Sequence, residues 1–84
     1  MAAEVNYKAS ALKDLKRLDR REALRIVERI DADLALHPGK DKALVGPFKG
    51  LFSYRVRDYR IVYTILGGSI LVLRIAHRRE VYKT

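Results

Sequence analysis

The 84-residue chain contains no cysteine, no tryptophan and only two prolines. Without cysteine it cannot form disulfides or thiolate metal sites, and a small fold without such cross-links is typical of a reducing compartment. Its first residues lack the basic-then-apolar pattern of a signal peptide. The longest aliphatic run, residues 70–73, is far shorter than the roughly 20 residues that span a bilayer. We therefore expect a cytoplasmic protein that does not engage a membrane.

Acidic residues are also scarce. Ten aspartates and glutamates face 18 lysines and arginines, which gives a formal net charge of +8. Such a balance favours a nucleic acid, an anionic surface or an acidic protein as partner. The length fits one domain, residues 1–84, with a thin core, because a chain this short buries only roughly 60–65% of its unfolded surface. The alternative is a basic domain whose charges are merely solvated.

Hydrophobic periodicity and turn residues predict the order β-α-α-β-β-β, an α+β fold. A short strand over residues 4–7 precedes a helical hairpin over about 10–36, with Ser10 and Asp19 as N-caps and His37 at its end. Residues 40–47 are expected to form a loop. Strands follow over 51–57, 59–66 and 69–76, and Gly67-Gly68 forms the last hairpin turn. We expect an antiparallel sheet with the helical hairpin packed on one face.

Arginines recur on one side of the predicted strands. Because side chains alternate between faces, Lys49, Arg55 and Arg57 share a face opposite Tyr54 and Val56. The same alternation puts Arg60 opposite the apolar side of its strand. In the last strand it groups Ile70 and Val72 with Arg74, against Leu71, Leu73 and Ile75. The predicted outcome is one concave patch of arginines: Arg55, Arg57, Arg60, Arg74 and Arg78.

This patch predicts a site for a polyanion. Arginine stays charged and its planar donors fit phosphate bidentately. Like charges on neighbouring strands repel, so the arrangement is costly without a function. The alternative is surface pairing with Asp41, Asp58 or Glu80, but three acids cannot neutralise this many arginines.

Two further side chains near the patch are candidates for proton transfer. Tyr82 can stack on a base or exchange a proton, although a terminal aromatic is also a common packing anchor. His77 can act as acid or base, although a lone histidine more often forms structural hydrogen bonds. The two histidines lack metal-ligand spacing, and no glycine-rich phosphate loop is present, so we expect neither metal nor cofactor. The basic helical residues are either solvated or in contact with a large nucleic acid.

The strand motifs resemble the RelE-like toxins of bacterial and archaeal toxin–antitoxin pairs. The pattern is Lys-Gly-Leu-Phe-Ser-Tyr-Arg-Val-Arg, then Tyr-Arg-Ile-Val-Tyr, then Ala-His-Arg-Arg-Glu-Val-Tyr. With the opening Tyr7 and residues 11–18, the resemblance covers nearly the whole chain. It implies a small twisted antiparallel sheet and a metal-independent, ribosome-dependent mRNA endonuclease, silenced by a cognate antitoxin. Operator DNA would be bound only through the antitoxin complex.

The resemblance also implies residue roles. Arg60, Arg78 and Tyr82 match catalytic positions of the family, with His77 as a further candidate. Phosphate or RNA contacts are expected from Lys49, Arg55, Arg57, Arg74 and Arg79. Some members carry lysines where this chain has Arg55 and Arg57. Arginine does not deprotonate at working pH, so the base is expected to be Tyr82.

Two other functions stay open at this point. The related ParE-like toxins share the scaffold but poison DNA gyrase, and they generally lack the catalytic residue set. The second alternative is a basic nucleic-acid-binding module without catalysis. The presence of Tyr82 together with Arg60 and Arg78 favours the endonuclease.

Overall fold

The computed structural model describes residues 2–39, 42–43 and 50–77. The chain forms a sheet with two helices on one face, and a 3₁₀ turn, Leu34–Leu36, follows the second helix. The elements in chain order are β1 (Val5–Tyr7), α1 (Ala9–Arg17), α2 (Arg20–Ala32), β2 (Lys42–Ala43), β3 (Phe52–Val56), β4 (Tyr59–Leu66) and β5 (Ser69–His77). The predicted α+β fold is therefore confirmed.

The sheet has the order β1-β5-β4-β3-β2. Its β2–β3, β3–β4 and β4–β5 pairs are antiparallel, as expected, whereas β1 runs parallel to β5 and makes the sheet mixed. The predicted loop over residues 40–47 contains β2, which pairs with Phe52 and Ser53 of β3. Two residues are too few to show an alternating pattern, so no strand was predicted there.

The core lies between the helices and one sheet face. Ile26 and Ile30 of α2 are fully buried against Ile61 and Tyr63 of β4 and other apolar residues of the sheet. Leu24 of the same helix lies off this buried side and is 53% exposed. The buried side of α2 follows the 26–30 spacing, and Leu34 extends it through the 3₁₀ turn.

Strand β5 contains a bulge that sequence alternation did not predict. Val62 pairs with Arg74 and Tyr63 with Val72, so Leu73 is an extra residue. Ile70 and Val72 before the bulge and Ile75 after it are all buried on the helix side. The prediction that Ile70 and Val72 share the arginine face was therefore wrong, because it assumed unbroken alternation.

Helix α1 covers the edge of β5 where β1 ends. The Lys8 amide donates to the Val72 carbonyl, and the Ser10 hydroxyl donates to the Leu73 carbonyl at 2.6 Å. Ser10 is thus not the N-cap that the sequence suggested, since α1 starts at Ala9 and Lys8 holds the cap position. Asp19 does hold the cap position of α2, but its side chain forms no capping hydrogen bond.

Two tight turns join the last three strands. Gly67 and Gly68 have φ values of 55° and 85°, a conformation that glycine adopts without steric cost, and they close the predicted β4–β5 hairpin. The β3–β4 turn consists of Arg57 and Asp58, because Val56 already pairs with Tyr59. Arg57 takes a φ of 55°, so it is a turn residue rather than the strand residue that we expected.

Candidate functional site

The sheet face opposite the helices, called here the outer face, carries two arginines side by side. Arg55 of β3 and Arg60 of β4 are direct cross-strand partners. Arg60 is half-buried and its Nη1 donates to the Ser53 hydroxyl at 3.3 Å, whereas Arg55 is exposed. Two like charges directly opposite each other destabilise a sheet. The arrangement fits an anion that bridges both guanidinium groups.

Arg57 extends this pair at the hairpin tip. Its backbone carbonyl accepts a 2.9 Å hydrogen bond from Nε of Arg55, which orients the Arg55 guanidinium along the turn. Within the described part of the chain, Arg55 has no carboxylate within ion-pair distance, although Asp58 is only three residues away. Arg55 therefore does not form the alternative pairing with Asp58.

Arg74 is separated from the other arginines by its partner. It lies opposite Val62, on the face that carries Arg60, as expected. Its guanidinium, however, donates to the buried carboxylate of Asp14 from Nε at 2.9 Å and from Nη2 at 3.2 Å. The predicted single patch is therefore divided into an Arg55–Arg60 pair and an Arg74 that is bound to α1.

Asp14 is a key residue that the sequence interpretation missed. Besides the hydrogen bonds from Arg74, it accepts a 2.8 Å hydrogen bond from the Ile75 amide. One carboxylate is therefore the acceptor for both a guanidinium and a backbone amide of β5. A signal was present, because Asp14 lies three residues after Ala11 and four before Leu18, on the apolar side of α1. An acid at such a position needs a buried cationic or backbone partner.

His77 does not lie with Arg55 and Arg60. It pairs with Tyr59, and this pair is next to the Arg60–Ala76 pair. Because neighbouring pairs point to opposite faces, His77 lies on the helix side of the sheet. The Tyr59 and His77 rings meet edge to face, with centroids 5.6 Å apart. An acid–base role for His77 stays a prediction, and the structure places it across the sheet from the arginine pair.

His77 and Tyr59 instead line a cleft of about 290 Å³ between the last turn of α1 and the end of β5. We call it the α1–β5 cleft. Its lining residues are Asp14, Arg17, Leu18, Tyr59, Arg74, Ile75, Ala76 and His77. Its lining therefore includes three polar residues that the sequence interpretation did not assign to a site, Arg17, Tyr59 and Asp14, and two residues that it did assign, Arg74 and His77.

The remaining predicted site residues lie outside the described residues. They are Lys49, Arg78, Arg79 and Tyr82. Their assigned roles in catalysis and phosphate contact stay predictions. Strand β5 ends at His77, directly before Arg78.

Two tyrosines on the helix side of the sheet have shifted acidities. Burial, with a contribution from the charge of Asp31, raises the pKa of Tyr7 to about 12. Burial and a hydrogen bond to Asp33 raise the pKa of Tyr54 above its usual value. That bond, from the Tyr54 hydroxyl to Oδ2 of Asp33, measures 2.9 Å and ties β3 to the end of α2. Neither phenol is on the arginine-bearing face, so both act in folding.

The described residues contain no group of three or more histidine, cysteine or acidic side chains arranged to hold a metal ion. In the same ranges, no helix combines the length and the apolar character that crossing a bilayer requires.

Comparisons with known proteins identify the family of the chain. Residues 5–82 match the family described as the ParE toxin of the type II toxin–antitoxin system parDE. The chain is 36% identical over 78 residues to a protein named Toxin RelE from Mycobacterium tuberculosis, covering 89% of this chain and 80% of that protein.

Solved structures give the same result. The toxin–antitoxin complex RelBE2 from Mycobacterium tuberculosis contains a chain that superimposes with a TM-score of 0.87 at 31% identity, with 93% of each chain covered. The intact RelBE complex of E. coli matches with a TM-score of 0.74 at 15% identity, over 90% of this chain and 96% of that one, which supports the fold alone. The family match spans nearly the whole sequence, and the chain therefore belongs to the RelE/ParE superfamily of type II toxin–antitoxin toxins.

Proposed function

We propose that this toxin is a ribosome-dependent mRNA endonuclease of the RelE type. The observation that carries the proposal is the Arg55–Arg60 pair, two cations held directly opposite each other on the outer face. Such a pair suits the phosphate backbone of a single strand. The 36% identity to a RelE toxin supports the same function. The ribosome as target would place its action in the cytoplasm.

The proposed reaction is attack by a ribose 2′-hydroxyl on the adjacent phosphate. The 2′-oxygen forms a bond to phosphorus, the bond to the 5′-oxygen breaks, and a 2′,3′-cyclic phosphate is left. Arg60 would stabilise the charge of the phosphorane, as would Arg78, and Arg55 would hold the backbone. Because no arginine can act as base at neutral pH, Tyr82 would accept the 2′-hydroxyl proton as a phenolate, the form that neighbouring cations favour. The leaving 5′-oxygen would take a proton from water and become a 5′-hydroxyl. The step needs no metal and no cofactor.

The proposed partners follow from charge and from the relatives. The relatives in the solved complexes are bound to antitoxins, and a cognate antitoxin of negative charge would suit the +8 charge of this chain. Such a partner would mask the arginine pair until it is removed. Operator DNA would be reached only through that complex.

The direct test is to add purified toxin to ribosomes translating a defined mRNA and to map cleavage by primer extension. Cuts within codons in the ribosomal A site, and no cuts in the same RNA without ribosomes, are expected. Their absence with folded toxin would overturn the proposal.

A second function is supported by one observation, the match of residues 5–82 to the ParE toxin family. A toxin of this type would inhibit DNA gyrase. Supercoiled plasmid incubated with gyrase and toxin would then be cleaved, and translating ribosomes would leave their mRNA intact. The arginine pair on the outer face favours the endonuclease, because a phosphate backbone directly explains two apposed cations.

A further inference from the structure

We infer that the α1–β5 cleft is a second anion site, which binds a single nucleotide of the RNA next to the one that is cut. The site would recognise one phosphate and one base. Neither Arg55 nor Arg60 is among its described lining residues. Its assignment to RNA rests on the proposed endonuclease function.

The first argument is the charge of the cleft. Arg17 and Arg74 both line it, and Asp14 is the only acid among the described residues of its lining. Asp14 is occupied, because its oxygens accept hydrogen bonds from Arg74 and from the Ile75 amide. Because Asp14 offsets the charge of Arg74, the excess positive charge of the described lining comes from Arg17 and favours an anion. The position of Arg17 in the last turn of α1 also complements the helix dipole, and this does not prevent its exposed side chain from contacting a ligand.

The second argument is how Arg74 is held. Its bidentate contact with a buried carboxylate fixes the plane of the guanidinium, although the side chain is 56% exposed. Fixing an arginine before its ligand arrives lowers the entropy cost of binding a phosphate. Asp14 is thus a positioning residue for Arg74. It sets the orientation of the guanidinium from the buried side.

The third argument is an aromatic pair in the lining. Tyr59 and His77 line the cleft and pack edge to face. Aromatic rings and arginine planes are the surfaces on which proteins stack unpaired bases. A volume of about 290 Å³ is at the lower limit for small-ligand sites and suits one nucleotide rather than a duplex or a helix. An extended acidic peptide would not need this pair of aromatic rings, because it has no base to stack.

The cleft also includes the residue that directly precedes a proposed catalytic residue in the sequence. His77 is the last residue of β5, and Arg78, a proposed catalytic residue, follows it directly. A nucleotide held against His77 would be covalently continuous with the strand of RNA that passes the arginine pair. The cleft would thereby fix the register of the RNA relative to the cut.

The test is a titration of the ¹⁵N-labelled full-length protein with uridine 3′-monophosphate and adenosine 3′-monophosphate, followed by NMR. We expect shifts of the amides of Arg17, Tyr59 and His77. Arg17→Ala and His77→Ala should each weaken binding by about tenfold, the effect of losing one charge-assisted or stacking contact. Arg21→Ala is the matched control, because it removes the same charge from an exposed position of α2 outside the cleft.

Several results would overturn the inference. An equal loss in Arg21→Ala would mean that only overall charge matters. Equal affinity for inorganic phosphate would mean that no base is recognised. Tighter binding of an acidic peptide to the same residues would assign the cleft to a protein partner. Shifts confined to Arg55 and Arg60 would leave the cleft without a ligand.

The titration needs neither ribosomes nor cleavage, so the two proposals fail separately. Nucleotide binding in the cleft by a protein that cuts no mRNA would preserve the site and overturn the endonuclease. Cleavage on ribosomes that Arg17→Ala leaves unchanged, with no nucleotide binding, would preserve the endonuclease and overturn the site.

Discussion

Asp14 and Arg74, 60 positions apart in sequence, are joined by two hydrogen bonds of 2.9 and 3.2 Å that attach α1 to β5. Asp14 is 8% exposed and also accepts a hydrogen bond from the Ile75 amide.

Asp14→Ala should lower the free energy of unfolding by about 2 kcal/mol, because it leaves a buried amide without an acceptor. Urea unfolding measures this. Asp19→Ala is the control and should cost less than about 0.5 kcal/mol, since Asp19 is exposed and its side chain caps nothing. Equal losses would contradict the role of Asp14.

Tyr54 and Tyr7 should respond differently to loss of their hydroxyls. Tyr54 donates to Asp33 at 2.9 Å, so Tyr54→Phe should cost about 1 kcal/mol. The buried Tyr7 hydroxyl has no hydrogen-bond partner among the described residues. Tyr7→Phe should therefore be neutral or slightly stabilising at neutral pH. Thermal unfolding of both variants checks the contrast, and a larger loss for Tyr7→Phe would refute it.

The Tyr7 phenol should also make stability fall at alkaline pH. Its pKa is raised from 10.0 to about 12 in the folded protein. Below pH 10 the phenol is protonated in both states, and above it the unfolded chain releases the proton first, so stability is lost as pH rises toward 12. Unfolding measured across this range should show a steeper decline in the native sequence than in Tyr7→Phe. Parallel curves would remove Tyr7 as a cause.

Arg60→Ala should slow mRNA cleavage on programmed ribosomes by roughly 10²–10³, the scale of losing one transition-state donor. Lys13→Ala serves as the control, because Lys13 is exposed on α1 and should change the rate little. Single-turnover cleavage rates compare the two. Similar losses in both variants would show that the arginine pair is not the reaction site.

Substitutions of Tyr82 separate proton transfer from stacking. If the hydroxyl accepts the 2′-proton, Tyr82→Phe and Tyr82→Ala should both lose most of the single-turnover rate. If the ring stacks on a base, Tyr82→Phe should stay active and Tyr82→Ala should fail, at a cost of about 1–3 kcal/mol. We expect the first outcome. Full activity of both variants on ribosomes would exclude Tyr82 from the site.

The sequence predicted β3 and β4 well because their alternation is unbroken. Tyr54 and Val56, and Ile61 and Tyr63, are buried as expected. It failed in the first half of β5, where one inserted residue at Leu73 reverses the phase. Every residue on both sides of that bulge is compatible with a strand, so the sequence pattern could not locate it.

The candidate site was predicted in part for a related reason. Alternation correctly put Arg55 and Arg60 on one face, because both are close to a single turn that fixes their register. It could not foresee that Arg74 turns toward α1, since the partner Asp14 is distant in sequence. Alternation also does not reveal clefts at the end of a sheet, where a helix terminus supplies half of the lining.

The contact of α1 with β5 has a consequence for self-association. A bare strand edge offers unpaired amides and carbonyls to any other chain and is a common start of aggregation. Here β1 pairs with Ile70, Leu71 and Val72. In α1, Ser10 donates a hydrogen bond to the Leu73 carbonyl, and Asp14 accepts one from the Ile75 amide. A further strand therefore cannot dock along this part of β5. Replacing Ser10 and Asp14 together with alanine would expose that edge and make fibrous or amorphous aggregates of the folded toxin easier to form.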